Sequence, residues 1–180
     1  MCRILLILLF ITGCGFAQNK LVNTSSADTL KISSHKEFGY SIKPPVWFKE
    51  KISQDNIYGG TFPAIDQIEN AVIITGFKKT DFTSFEDFTR IYITGNTFGK
   101  PALFSKEHIW YGRNEYDLKK IPHGVSSRVF TFYKNKIYHN QFVLLETSNA
   151  FLFINFCATP ETYDKNFTKF TEFLESIITE

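Results

Sequence analysis

Residues 126–158, SSRVFTFYKNKIYHNQFVLLETSNAFLFINFCA, decide the fold. Val129, Thr131 and Tyr133 alternate with Phe130, Phe132 and Lys134, the two-residue period of a strand. Two further runs, KIYHNQFVLLE and AFLFINFCA, have similar length and character. Lys-Asn-Lys separates the first pair and Thr-Ser-Asn the second. Turns this short return a strand beside its predecessor, so the stretch predicts an antiparallel meander.

The chain after the meander, TPETYDKNFTKFTEFLESIITE, has the opposite period. Thr159 stands at the N-cap, Pro160 at the first helical position and Glu161 in the first turn, where a carboxylate complements the helix dipole. Tyr163, Phe167, Phe170, Leu174 and Ile177 fall on one stripe, with Phe173 and Ile178 beside it. This predicts a helix over 160–178 whose apolar stripe lies on the sheet, because tertiary packing supplies most helical stability.

Working back from the meander, KEHIWYGRNEYDLKK reads as a hairpin turning at Gly112, Arg113 and Asn114. TSFEDFTRIYI predicts a helix near 84–93, with Thr83 as N-cap, Glu86 completing a capping box, and Gly95 stopping it. Phe85, Phe88 and Tyr92 share one of its faces. NAVIITGFKK is a strand, central because Val72 to Ile74 are continuously apolar. Residues 55–70, with Gly59, Gly60 and Pro63, read as turn or loop. In FGYSIKPPVWF, Phe38, Tyr40 and Ile42 alternate as a half-buried strand; Pro44 and Pro45 stop it, and Trp47 and Phe48 fold back on the core. The fold class is therefore α+β, an antiparallel meander flanked by two main helices.

The chain has 180 residues, a net charge of +2 and 21% charged residues. This suits one globular domain and gives no field to steer a nucleic acid. Its 20 Phe make a large core easy to build. At the start, Arg3 precedes the apolar run Ile4 to Ile11, far shorter than the roughly 20 residues of a membrane span and of the length of a signal-peptide core. Two cuts compete. Gly15 and Ala17 place small residues before Gln18, as ordinary signal peptidase requires, while Ile11 to Cys14, ITGC, resembles a bacterial lipobox. The second makes Cys14 the lipidated N-terminus, anchored in the membrane by its acyl chains. Residues 1–17 are thus a leader, 18–29 a polar tether and 30–180 a single domain. This organisation predicts export to the bacterial envelope, lipid-anchored or periplasmic.

The opening FGYSIKPPVWF, the mid-chain helix, the meander and the final helix after ATPETYDKNFTKF together resemble the PsbP-like family. The resemblance covers residues 32–178 and implies an α/β/α sandwich. Relatives of that family include an accessory subunit of photosystem II, a nuclear-import factor that binds a small GTPase, and bacterial envelope lipoproteins. It therefore implies a role in binding, with an envelope protein as partner. Its motifs are structural, so no functional residues carry over.

Candidate chemistry is sparse. Cys157 reads as a buried, inert thiol; a nucleophile needs a histidine beside it, and His139 and His123 are the candidates. His35, His108, His123 and His139 show no metal-ligand spacing, so no metal is expected. Ser126 and Ser127 follow Gly124 without a nucleophile-elbow motif, and YGGTFPAIDQ lacks the lysine of a phosphate loop. Neither catalytic residues nor a cofactor site are predicted. Trp110 and Tyr111, with Trp47, are the candidate contact surface, since adjacent aromatics on a strand cannot both face one core. The functions in play are a non-catalytic envelope binding or assembly module, a carrier of a small apolar ligand, and an enzyme with a dispersed site.

Overall fold

The computed structural model describes residues 32–91, 109–111 and 119–180. The leader, Cys14 and the tether up to residue 29 lie outside them, as do Tyr92, Ile93, Gly95, His108 and the Gly112–Asn114 turn. In chain order the strands are β1 (Ser33–His35), β2 (Tyr40–Ile42), β3 (Lys49–Gln54), β4 (Ile57–Thr61), β5 (Ala71–Lys78), β6 (Ile109–Tyr111), β7 (Lys119–Ile121), β8 (Gly124–Tyr133), β9 (Lys136–Glu146), β10 (Ala150–Ala158) and β11 (Ile177–Thr179). The helices are α1 (Phe85–Thr89) and α2 (Pro160–Glu175).

The meander lies at the middle of an eight-stranded antiparallel sheet ordered β3-β4-β5-β10-β9-β8-β6, with β7 also on β8. A second sheet, β1-β2-β11, has three strands. The β8–β9 turn is Lys134–Asn135 with both φ positive (48° and 60°), the twist that lets a two-residue hairpin close. The PsbP-like α+β architecture implied by the sequence is the one observed.

Strand β10 organises both cores. Ala150, Leu152, Ile154, Phe156 and Ala158 enter a core shared with Val72, Ile74, Phe62 and α2's Tyr163, Phe170 and Phe173. Phe151 and Phe153 enter a second one with Phe142, Leu144, Val129 and α1's Phe88. Phe156 stacks on Phe170 at 4.8 Å, and Phe151 on Phe88 at 5.1 Å. One helix therefore covers each face, and β2 joins α2 over the first.

Several boundaries differ from the sequence reading, each for a local reason. Residues 57–61, read as loop, are β4. Its glycines are there for close approach, since a Cβ on Gly60 would stand 2.2 Å from the Lys49 carbonyl oxygen. The N-cap of α1 is Ser84 and not Thr83: Asp87 N–H donates to Ser84 Oγ at 3.1 Å, and Thr83 N–H donates to Asp87 Oδ2 at 3.3 Å. The capping box thus sits one residue later, with Asp87 in the role expected of Glu86. The predicted hairpin over 106–120 is replaced by pairing of both β6 and β7 with β8. Helix α2 stops at Glu175 instead of 178, because Ile177 and Thr179 pair with Ile42 and Tyr40 of β2. Ile178 is consequently exposed, and so in part is Phe167, at 39%.

The two sheets are locked together at Phe38. Its ring lies over Gly76 of β5, where an added Cβ would come within 2.4 Å of it. Its carbonyl accepts from Thr147 Oγ1 at 2.9 Å, and that hydroxyl accepts from Ala150 N–H at 2.9 Å. Gly76→Ala should therefore destabilise the fold by about 1–3 kcal/mol through overpacking. Urea unfolding measures this, and Phe38→Leu should recover part of the loss because the two positions share one contact.

Candidate functional site

Register places four side chains of β8 and β9 on the α2 side of the sheet. Arg128 pairs with Gln141 and Phe130 with His139, two positions apart and so on one face. The first turn of α2 lowers Tyr163 onto them. Its hydroxyl donates to Gln141 Oε1 at 2.8 Å. The Arg128 guanidinium lies 4.3 Å over the Tyr163 ring and 5.5 Å from that of Phe130. The His139 ring meets Phe130 edge-on at 4.6 Å and Tyr163 at 5.5 Å. Phe167, one turn along α2, is 5.6 Å from Tyr163. Ile137, two residues before His139 on the same face, is 52% exposed.

The polar atoms in this cluster are constrained by the arginine. Arg128 Nη2 lies 2.8 Å from His139 Nδ1. A guanidinium only donates, so Nδ1 accepts and the imidazole is neutral, with its proton on Nε2. Burial, and then the Arg128 cation, hold His139 below its ordinary 6.5; Asp164 and Glu161 pull the other way. Burial likewise pushes the Tyr163 hydroxyl up to about 12, against the Arg128 charge, so it stays a donor. Arg128 Nε is buried without an acceptor, and among the described residues no carboxylate is within ion-pair distance of Arg128. Stacking on two rings contributes about 0.5–2 kcal/mol toward holding such a cation.

The residues singled out by sequence fall elsewhere. Cys157 pairs with Asn140, and His139 with the next residue, Ala158. Adjacent positions face opposite ways, so His139 lies on the α2 side and Cys157 on the α1 side, half-buried and not fully buried. They form no dyad. His123 is exposed at the β7–β8 turn with φ 57°, and His35 is buried against Tyr40 at 4.7 Å. Ser126 and Ser127 are buried within β8, on opposite faces of it. Trp47 is half-buried; its Nε1 donates to Glu172 Oε2 at 2.9 Å, and its ring packs on Phe62 at 5.2 Å. Trp110 and Tyr111 lie on β6 opposite Thr131 and Phe130, with their side chains outside what is described. Cys14 lies outside the described residues. No three metal-ligating side chains gather among the described residues.

Sequence reasoning missed Arg128 and the packing of Tyr163 on it. The signal is Arg-x-Phe on β8 facing His-x-Gln on β9, which has meaning only once the register is known.

The sequence matches no protein-family model, and no curated protein matches it. In structure the chain is similar to cyanobacterial PsbP (CyanoP) from Synechocystis sp. PCC 6803, with TM-score 0.52 and 10% identity over 89% of this chain and 99% of that one. It is also similar to a crystal structure from Bacteroides thetaiotaomicron VPI-5482, with TM-score 0.50 and 14% identity over 80% of this chain. The chain spans about half of that second protein, 46% of its length. At these identities the likeness shows the fold: PsbP-like, α+β.

Because the folded state disfavours the His139 cation, the unfolded state binds more protons in the window below pH 6.5. Stability should hold above that pH and fall as the pH drops from 6.5 toward the depressed value. Chemical unfolding at a series of pH values reads the slope, and His139→Gln, which keeps an acceptor but does not titrate, should flatten it.

Proposed function

We propose that this PsbP-like domain is a non-catalytic binding or assembly module of the bacterial cell envelope. The observation that carries the reading is the half-exposed aromatic and cationic cluster around Arg128. A half-buried arginine stacked on a buried tyrosine, beside the half-buried Phe130 and the partly exposed Phe167, has the chemistry of protein-binding hot spots. The placement of His139 and Cys157 on opposite faces of the sheet is consistent with it, since it separates one of the two nucleophile–base pairs the sequence offered. Photo-cross-linking in the native envelope from Phe167 or Ile137 tests the reading. A recurrent protein neighbour is expected, and no neighbour at any surface position counts against it.

The same reading includes the leader. Cut at ITGC, the chain begins at Cys14 and is held to the membrane by acyl chains on that residue, with a short polar tether before the domain. Cys14→Ala should shift the protein from the membrane to the soluble fraction. A soluble wild-type species whose intact mass begins at Gln18 would replace lipidation with ordinary secretion.

A second reading, carriage of a small amphiphile, is favoured by the opposite face. There Thr75 Oγ1, Ser127 Oγ and Asn155 Oδ1 are buried with no hydrogen-bond partner among the described residues, on the side of the sheet that holds the Phe142 and Phe153 core. Native mass spectrometry of the purified chain decides it. A retained non-covalent adduct, lost in Thr75→Val, is the expected mark of a carrier.

A further inference from the structure

We infer that the Arg128 cluster is a docking site for a segment of a partner protein that presents one carboxylate beside an apolar side chain. The inference rests on the binding-module reading and names the chemistry of its partner.

Charge complementarity is the first argument. Arg128 is half-buried, and the partner the chain gives its five donors is a neutral imidazole. Among the described residues the lysine ion pairs Lys78–Glu37 and Lys165–Asp66 are solvent-exposed, where a partner matters least. Arg128 is the reverse case: a cation partly removed from water, held flat by Tyr163, and lacking a counter-charge. Its Nη1 has no acceptor among the described residues, so a carboxylate arriving there needs no internal bond to break.

Shape is the second. Phe167 packs on Tyr163 one turn along α2, and Ile137 lies two residues before His139 on the same face of β9; both remain substantially exposed. With half-buried Phe130 they give the cluster an apolar rim. An apolar side chain of the partner fills that rim and keeps water from the ion pair, which strengthens it. Glu161 and Asp164 on α2 already place negative charge near His139. A run of acidic residues would be repelled, so the fitting segment is one Asp or Glu with hydrophobic neighbours.

The probe is a blocked peptide of sequence Ser-Phe-Asp-Leu-Ser-Gly, with its Asn counterpart as control, titrated into isotope-labelled exported chain and followed by NMR. The Asp peptide should shift the Arg128 Nε–H signal and the amides of His139 and Phe167. The Asn peptide should bind at least about tenfold more weakly, the loss of roughly 1.4 kcal/mol. Arg128→Met, which leaves an apolar side chain on Tyr163, should stay folded and lose the difference between the peptides. Arg128→Lys keeps the charge without the planar fork and should recover only part of it. Equal binding of both peptides overturns the inference, as does a response confined to other surfaces or a self-associated chain that covers Phe167. If cross-linking captures a partner whose capture Arg128→Met leaves unchanged, this site fails while the binding-module reading stands.

Discussion

Strand β10 has no polar face, and that constraint organises the molecule. Along Ala150–Ala158 only Asn155 and Cys157 are less than fully buried. A strand that is apolar on both sides must be central in its sheet and covered on both sides. Its neighbours β5 and β9 satisfy the backbone over nearly its whole length. The two coverings then differ in kind. On one side the 16-residue α2 and the small sheet seal a core of stacked rings; on the other, the five-residue α1 brings Phe85 and Phe88 onto Phe151. The chain spends its phenylalanines where two faces of one strand have to be sealed at once.

Where the covering ends, the chemistry changes. Helix α2 packs chiefly on β9 and β10, so β8, the next strand toward the β6–β7 edge, meets only its margin on the same face. A polar side chain at that margin is neither solvated nor enclosed. Arg128 occupies the margin, with its stem against aromatic rings and its charge facing a histidine that must stay neutral to receive it. The depressed His139 follows from this arrangement: the ring is held by the Arg128 hydrogen bond and edge-on contacts to Phe130 and Tyr163.

Much of the architecture was legible from local pattern. The three meander strands, their two- and three-residue turns, the central Val72–Ile74 strand and the start of α2 at Pro160 are all written in alternation, helical spacing and capping chemistry. What was not legible depended on distant partners. Ile177 and Ile178 continue a helical pattern on paper, and they become a strand because β2 offers an open edge beside them. Gly59 and Gly60 look like a turn until β3 and β5 approach from both sides. Ser84 takes the cap from Thr83 because Asp87, not Glu86, has its carboxylate in reach of the preceding backbone N–H. The Arg128 cluster was the least legible of all. Its members come from three elements, and no spacing within any one of them marks the site.

Strand parity explains why the candidate site had to be found in space. His139 and Cys157 sit on paired strands one residue out of step, and that single step sends them to opposite faces of the sheet. A register shift of one residue would bring thiol and imidazole together, but it would also turn Phe142 and Leu144 out of one core and Val143 out of the other. The cost of exposing those side chains, about 1.5–3 kcal/mol each, fixes the register far more firmly than any polar contact between the two residues. The packing that makes β10 central is thus what keeps His139 and Cys157 on opposite faces. The same register delivers Arg128 and Phe130 to the face where Tyr163 descends.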